Sequence, residues 1–136
     1  SNTNPSGRPG ICPTGWHVPS DAEWCVLTQY VDPSVNCTAT TWSGTDGGGK
    51  LKEPGTSHWQ SPNTGANNLS GFTAVPGGYR NGGGAFATIL QNNYLTSSTE
   101  NLTTSVWYRN LYYSNQNVGR GSNGKTYGYS LRCVKD

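Results

Sequence analysis

The chain has 136 residues and a net charge of +2, with charged residues at 12% and hydrophobic ones at 32%, so it has neither the high charge of a disordered segment nor an apolar run long enough to span a bilayer as a helix. Its nine Lys and Arg are scattered and form no basic stretch, which argues against nucleic acid as a partner. Gly, Asn, Ser and Thr supply the polarity, as in a single domain of short strands and many turns where Trp and Tyr provide much of the buried area.

Residues 1–10 (SNTNPSGRPG) have the Pro, Gly and Asn content of a flexible N-terminal arm or linker, and residues 11–136 are read as one domain. A helix is predicted next: Ser20 caps it, Glu23 three residues on completes a capping box, and Asp32-Pro33 ends it. Trp24, Leu27 and Val31 give it one buried stripe. Trp16 and Trp24 are expected to bracket its start and pack inward, and His17 is read as a hydrogen-bonded scaffold residue. From residue 39 to 71 the chain is nearly all turn-formers, with Leu51, Trp59 and Leu69 as anchors.

Strands are predicted at 72–75, 85–90, 105–111 and 127–134. The third alternates, with Val106, Tyr108 and Asn110 on one face and Trp107, Arg109 and Leu111 on the other. The segment YYSNQNVGRGSNGKT reads as a polar hairpin or loop. One main N-terminal helix, short antiparallel strands and long irregular loops make the fold class α+β.

Cys12, Cys25, Cys37 and Cys133 lack the close spacing of a zinc or redox pair. Two disulfides are the better reading. Four cysteines allow three pairings, of which we favour Cys12–Cys133, joining the two ends, and Cys25–Cys37, tying the helix to the loop after it. Oxidised cysteines imply export, with a leader expected to have been removed before this sequence begins, so an extracellular or cell-surface location is expected.

CPTGWHVPSDAEW, GGKLKEPGTSHW, GFTAVPGGYRNGG, SSTE, VWYRNLYYSNQNVGR and YGYSLRCVKD, in this order, resemble the successive blocks of the Fibrobacter succinogenes major paralogous domain, a bacterial family frequent in secreted and surface proteins. The resemblance covers nearly the whole chain. It implies a C-type-lectin-like fold, in which the chain ends lie side by side and a long loop region displays a ligand surface; this strengthens the Cys12–Cys133 pairing. The Cys25 and Cys37 pair is an addition to the family pattern. Formylglycine-generating enzymes use a related fold.

Catalytic chemistry is not evident: the seven acids are few, and no nucleophile elbow, P-loop or HExxH occurs. The calcium chelation of sugar-binding lectins needs clustered carboxylates that are missing here, as Glu53-Pro54-Gly55 lacks the amide ligand. We expect no enzyme, no cofactor, no metal and no membrane insertion. Instead Tyr94, Tyr108, Tyr112, Tyr113, Asn115, Asn117 and Arg120 fall where similar folds display ligand contacts, and Tyr with Asn is the chemistry of recognition surfaces. The expected function is a non-enzymatic adhesion or recognition module binding a glycan or protein, the alternatives being self-association as a subunit of an extracellular fibre and, less favoured, an enzyme related to formylglycine-generating-type folds.

Overall fold

Helix α1, Asp21–Val31, forms for the predicted reason. Ser20 Oγ accepts the Glu23 N–H at 3.2 Å, Glu23 returns Oε2 to the Ser20 N–H at 2.8 Å, and extended backbone at Asp32 ends the helix. Trp24, Thr28 and Val31 are its buried residues. The computed structural model describes residues 10–136, so the predicted arm lies, but for Gly10, outside the described residues.

Among the described residues, two helices and eight strands follow one another in the order β1 (Trp16–His17), α1, β2 (Trp42–Ser43), α2 (Gly47–Leu51), β3 (Tyr79–Arg80), β4 (Phe86–Ala87), β5 (Asn92–Leu102), β6 (Ser105–Tyr112), β7 (Val118–Gly124) and β8 (Val134–Lys135). The main sheet is antiparallel with order β2-β7-β6-β5; β1 pairs with β8, and β3 with β4. The mixed helix and sheet class is as expected. Both expected disulfides are present: Cys12–Cys133 (Cα–Cα 5.9 Å) beside the β1–β8 pair, and Cys25–Cys37 (5.5 Å) from α1 to the following loop.

The core sits between α1, α2 and one face of the main sheet, and consists of Val31, Val35, Leu51, Trp59, Ala74, Leu111 and Val118. Leu27, Phe72 and Tyr113 pack on its rim. The Trp24 indole N–H donates to the Thr96 carbonyl at 3.0 Å, which fixes α1 across β5.

Buried polar groups carry much of the remaining organisation. Asp32 Oδ2 accepts the N–H groups of Thr45, Asp46 and Gly47 at 2.6, 3.0 and 3.0 Å, and Oδ1 accepts from Ser34. Burial opposes its charge, but these bonds outweigh burial and hold the carboxyl well below the usual range. Lys52 is fully buried and its Nζ donates to the carbonyls of Thr64, Tyr112 and Asn115, each at 2.9 Å. Burial pulls its pKa down to about 8, while three converging carbonyls favour the charged form, so Lys52 is an ammonium at neutral pH.

Several expectations are corrected. Trp16 does not pack inward: β1 alternates, so His17 is buried while Trp16 is 41% exposed. Leu69 is no anchor, being 75% exposed. Residues 72–75 make one isolated bridge, Ala74 with Lys52, because Phe72 turns onto Trp24 instead of entering a sheet. Of 85–90 only Phe86–Ala87 is strand, and of 127–134 only the last residue is, after single bridges at Gly128 and Ser130. The segment read as a polar loop contains β7. The stretch read as all turn contains β2 and α2, the latter forming with three glycines because a Cβ at Gly48 or Gly49 would lie 2.2 or 2.3 Å from the carbonyl oxygens of Asn117 and Gly65.

Candidate functional site

The two faces of the main sheet have different chemistry, set by strand alternation. On β6, Arg109 and Leu111 point to the core side and Tyr108, Asn110 and Tyr112 to the outer side, Tyr108 and Asn110 sharing one face and Arg109 and Leu111 the other as the alternation predicts. Their cross-strand partners place Asn92, Tyr94 and Thr96 of β5, Gly119, Gly121 and Asn123 of β7, and Trp42 of β2 on the same outer face. The two β7 glycines are a floor on which rings lie. A Cβ at Gly119 would come within 2.9 Å of the Trp42 ring, and one at Gly121 within 2.6 Å of the Tyr108 hydroxyl.

Two hollows lie over this face and a third lies beyond its β5 edge. The first, about 220 Å³, lies between Trp42 and Tyr108 above Gly119 and Gly121, with Thr40, Thr41 and Asn110 on its walls. The second, about 90 Å³, is enclosed by Tyr79, Tyr94, Tyr108, Tyr129 and Asn123. The third, about 310 Å³, is bounded by Tyr79, Tyr129, Arg80, Phe86 and Ser130. Tyr108 is shared by the first and second, and Tyr79 with Tyr129 by the second and third, so the hollows form one track.

The tyrosines hold each other in place. Tyr94 meets Tyr108 at 5.2 Å and Tyr79 at 5.3 Å edge to face, stacks on Tyr129 at 5.5 Å, and Tyr127 stacks behind Tyr79 at 5.9 Å. Burial pushes the Tyr94 phenol up to about 12 and raises Tyr108 and Tyr129 as well, so these hydroxyls stay protonated at physiological pH. Each is a neutral donor and acceptor.

Beneath the sheet lies a buried ion cluster. Asp21 Oδ1 accepts from Arg109 Nη1 at 2.5 Å, and Arg120 grips the same carboxylate through Nε at 3.0 Å and Nη2 at 2.7 Å. Arg120 also lies 3.6 Å from the Trp107 ring centre. Burial alone would raise the Asp21 pKa; the bonds from Arg120 and Arg109 reverse this and lower it. His17 bridges Asp136 (Nδ1, 2.5 Å) and Glu23 (Nε2, 2.7 Å), which raise its pKa in that order and clamp β8 to the helix start. It is the scaffold residue the sequence suggests.

The seven residues named from the sequence are therefore not one cluster. Tyr94 and Tyr108 sit at the centre of the track. Tyr112 flanks its Trp42 end, with ring centres 6.2 Å apart. Tyr113 turns to the core rim, and Arg120 is held by Asp21 and Trp107. Asn115 and Asn117 lock the β6–β7 turn, Asn115 Oδ1 accepting the Asn117 N–H at 2.8 Å and Asn117 Nδ2 donating to the Gly44 carbonyl. Trp42, Tyr79, Tyr129 and Asn123 were missed. A signal for Tyr129 existed in Tyr127-Gly128-Tyr129, whose spacing of two puts both rings on one side.

A family model for the Fibrobacter succinogenes major domain matches residues 2–135. The chain belongs to that family. Comparison with curated proteins and with solved structures gives no match. Within this Fibrobacter succinogenes major domain, the segments that carry the resemblance have identifiable physical work. In GGKLKEPG, Lys50 Nζ donates to the Val31 carbonyl at the end of α1 and Lys52 ties the loop at Thr64 to the end of β6 and the turn after it; in VWYRNL, Arg109 meets Asp21 while Tyr108 faces the track. Elsewhere Glu53 pairs with His58 and Asp46 with Lys50. Among the described residues no group of three or more His, Cys, Asp or Glu is placed to hold a metal ion.

Proposed function

We propose that this domain is a non-enzymatic recognition module of a secreted or cell-surface protein, and that it binds its ligand, a glycan or a protein, on the outer face of the main sheet. The observation that carries the reading is the track itself: three hollows joined through shared tyrosine walls, built from aromatics that the core does not use. Concave aromatic surfaces with a few polar groups are the usual form of a ligand site. Two disulfides favour an oxidising compartment. A C-type-lectin-like fold is the finer architectural reading; the paired first and last strands stapled by Cys12–Cys133 support it.

Purified full chain and its Trp42→Ala and Tyr108→Ala variants, applied to glycan arrays and used in pull-downs from candidate host material, test the proposal. Binding lost in both variants while circular dichroism is unchanged is the expected result. Silence of the folded wild type in both formats opposes it.

A further inference from the structure

We propose that the occupant of the track is a neutral, linear oligosaccharide of three or more sugar units; this rests on the recognition reading above and narrows it to one ligand class. Four observations point to this chemistry.

The first is shape. The track crosses the strands: Trp42 lies on β2, Tyr108 two strands away on β6, and Tyr94 on the next strand, β5. Trp42, Gly119, Asn110 and Tyr94 are in register across the four strands, so at a strand spacing of about 4.8 Å the Trp42 and Tyr94 backbones are about 14 Å apart, with Tyr108 between them and two residues along β6, and Tyr79 and Phe86 beyond. A pyranose ring is about as long as one such spacing, so several must be linked to fill all three hollows.

The second is surface chemistry. Sugar rings present a face of polarised C–H groups and a rim of hydroxyls. Ring faces of Trp42 and Tyr suit the first, since an aromatic face is electron-rich. The rim needs partners that both donate and accept, and the walls provide Thr40, Thr41, Asn123, Ser130 and the phenols. Asn110 adds a directed donor, because its Oδ1 already accepts from Asn92 at 3.1 Å and Nδ2 is left for the ligand.

The third is charge. Among the described residues lining the hollows there is no carboxylate, and Arg120, opposite Arg109 on β6, turns its guanidinium to the other face, where the two share the Asp21 carboxylate. Arg80, at the far end, is the one remaining cation there. Anionic sugars would find no guanidinium or ammonium group facing them in the first two hollows.

The fourth is the sheet edge. A peptide binding a sheet gains most by adding a strand along an edge. Here β2 covers β7, and Gly78 and Ser130 bridge β5 at Asn93 and Leu95. The track runs across the strands, so a peptide lying in it forms no ladder.

The test is affinity electrophoresis of the full chain in gels containing neutral linear polysaccharides (β-glucan, α-glucan, xylan, mannan) or anionic ones (pectin, alginate), followed by calorimetric titration with two- to six-unit oligomers of any neutral polymer that retards it. We expect retardation by at least one neutral polymer and an affinity that rises with length up to at least three units. Trp42→Ala should weaken it by tenfold or more, Tyr108→Phe by a smaller factor, and Trp16→Ala, on the exposed β1 position, not at all. Two results overturn the inference. If only an anionic polymer or a protein is bound, and Trp42→Ala abolishes that binding, the ligand class is wrong while the recognition reading stands. If the folded chain binds no probe of any kind, both fall.

Discussion

Replacing Asp21 by Asn keeps the shape of the buried cluster and removes its negative charge. Arg109 and Arg120, with side chains 3% and 11% exposed, would then face each other with no counter-ion. At an effective dielectric of about 20, each guanidinium–carboxylate pair contributes about 4 kcal/mol, or about 8 kcal/mol before the mutual repulsion of the two arginines and the desolvation of Asp21 are counted. Those opposing effects remove roughly half, which agrees with the about 3–5 kcal/mol found when one partner of a buried pair is deleted. Guanidinium chloride unfolding at pH 7 with both disulfides intact, followed by Trp fluorescence, should show the wild type more stable than Asp21→Asn by that amount. The triple variant Asp21→Leu/Arg109→Met/Arg120→Met should recover most of the loss, because no charge is stranded. A loss under about 1 kcal/mol for Asp21→Asn, or a triple variant weaker than the single, would refute the argument that unpaired burial sets the cost.

Three further outcomes follow from the same coordinates. Cys12–Cys133 closes a separation of 121 residues and Cys25–Cys37 one of 12, so in the chain-entropy model the first contributes about 5 kcal/mol and the second about 3; paired Ser replacements should rank that way in denaturation midpoints, and equal effects contradict it. His17 binds its proton more tightly folded than unfolded, so its contribution is complete below about pH 6.5 and disappears as pH rises through the raised value, while the lowered Glu23 pKa makes that carboxylate's contribution present above about pH 4.3 and lost as pH falls through the folded value. Urea titrations should therefore show the gap between wild type and His17→Gln widest between about pH 4.3 and 6.5, and a gap flat with pH speaks against the clamp. Gly121→Val should push Tyr108 off its glycine, costing about 1–3 kcal/mol of stability and perturbing the Tyr108 ring resonances; unchanged melting and an unmoved ring would show that the floor is not needed.

What was legible in the sequence was whatever rested on local spacing. Ser20 and Glu23 fix a helix start through three residues, and alternation on β6 assigns its two faces. The cysteine pairing was favoured because one bridge joins the two ends and the other ties the helix to its following loop, the first being strengthened by the family resemblance. What escaped depends on contacts distant in the chain. β7 reads as a loop since Gly119, Gly121 and Gly124 weaken strand propensity, yet two of those glycines are required by the rings of Trp42 and Tyr108, which lie 77 and 13 residues away in the sequence. Asp136 and Glu23 converge on His17 only once β8 lies beside β1. The candidate residues separate for the same reason: Tyr94 and Tyr108 lie on neighbouring strands, while Asn115 and Asn117 belong to a turn whose carbonyls and amides are needed internally.

The scarcity of aliphatic residues bears on why such a face exists. In most domains of this length the large aromatics fill the interior, whereas here loops are tied by side chains to backbone groups: Lys52 to three carbonyls, Asp32 to three amides, Asn63 to the carbonyls of Glu53 and Gly55. Each such tie satisfies buried backbone polarity that would otherwise oppose burying irregular loops. With two disulfides limiting the unfolded ensemble as well, a core cluster of seven buried hydrophobic residues suffices. Tyr79, Tyr94, Tyr108, Tyr129 and Trp42 are thereby free of core duty and are gathered along the track, where the tyrosines are held in place by one another. Rigid rings lose little entropy on binding, so a surface of this kind gains affinity from preorganisation without any charged contact.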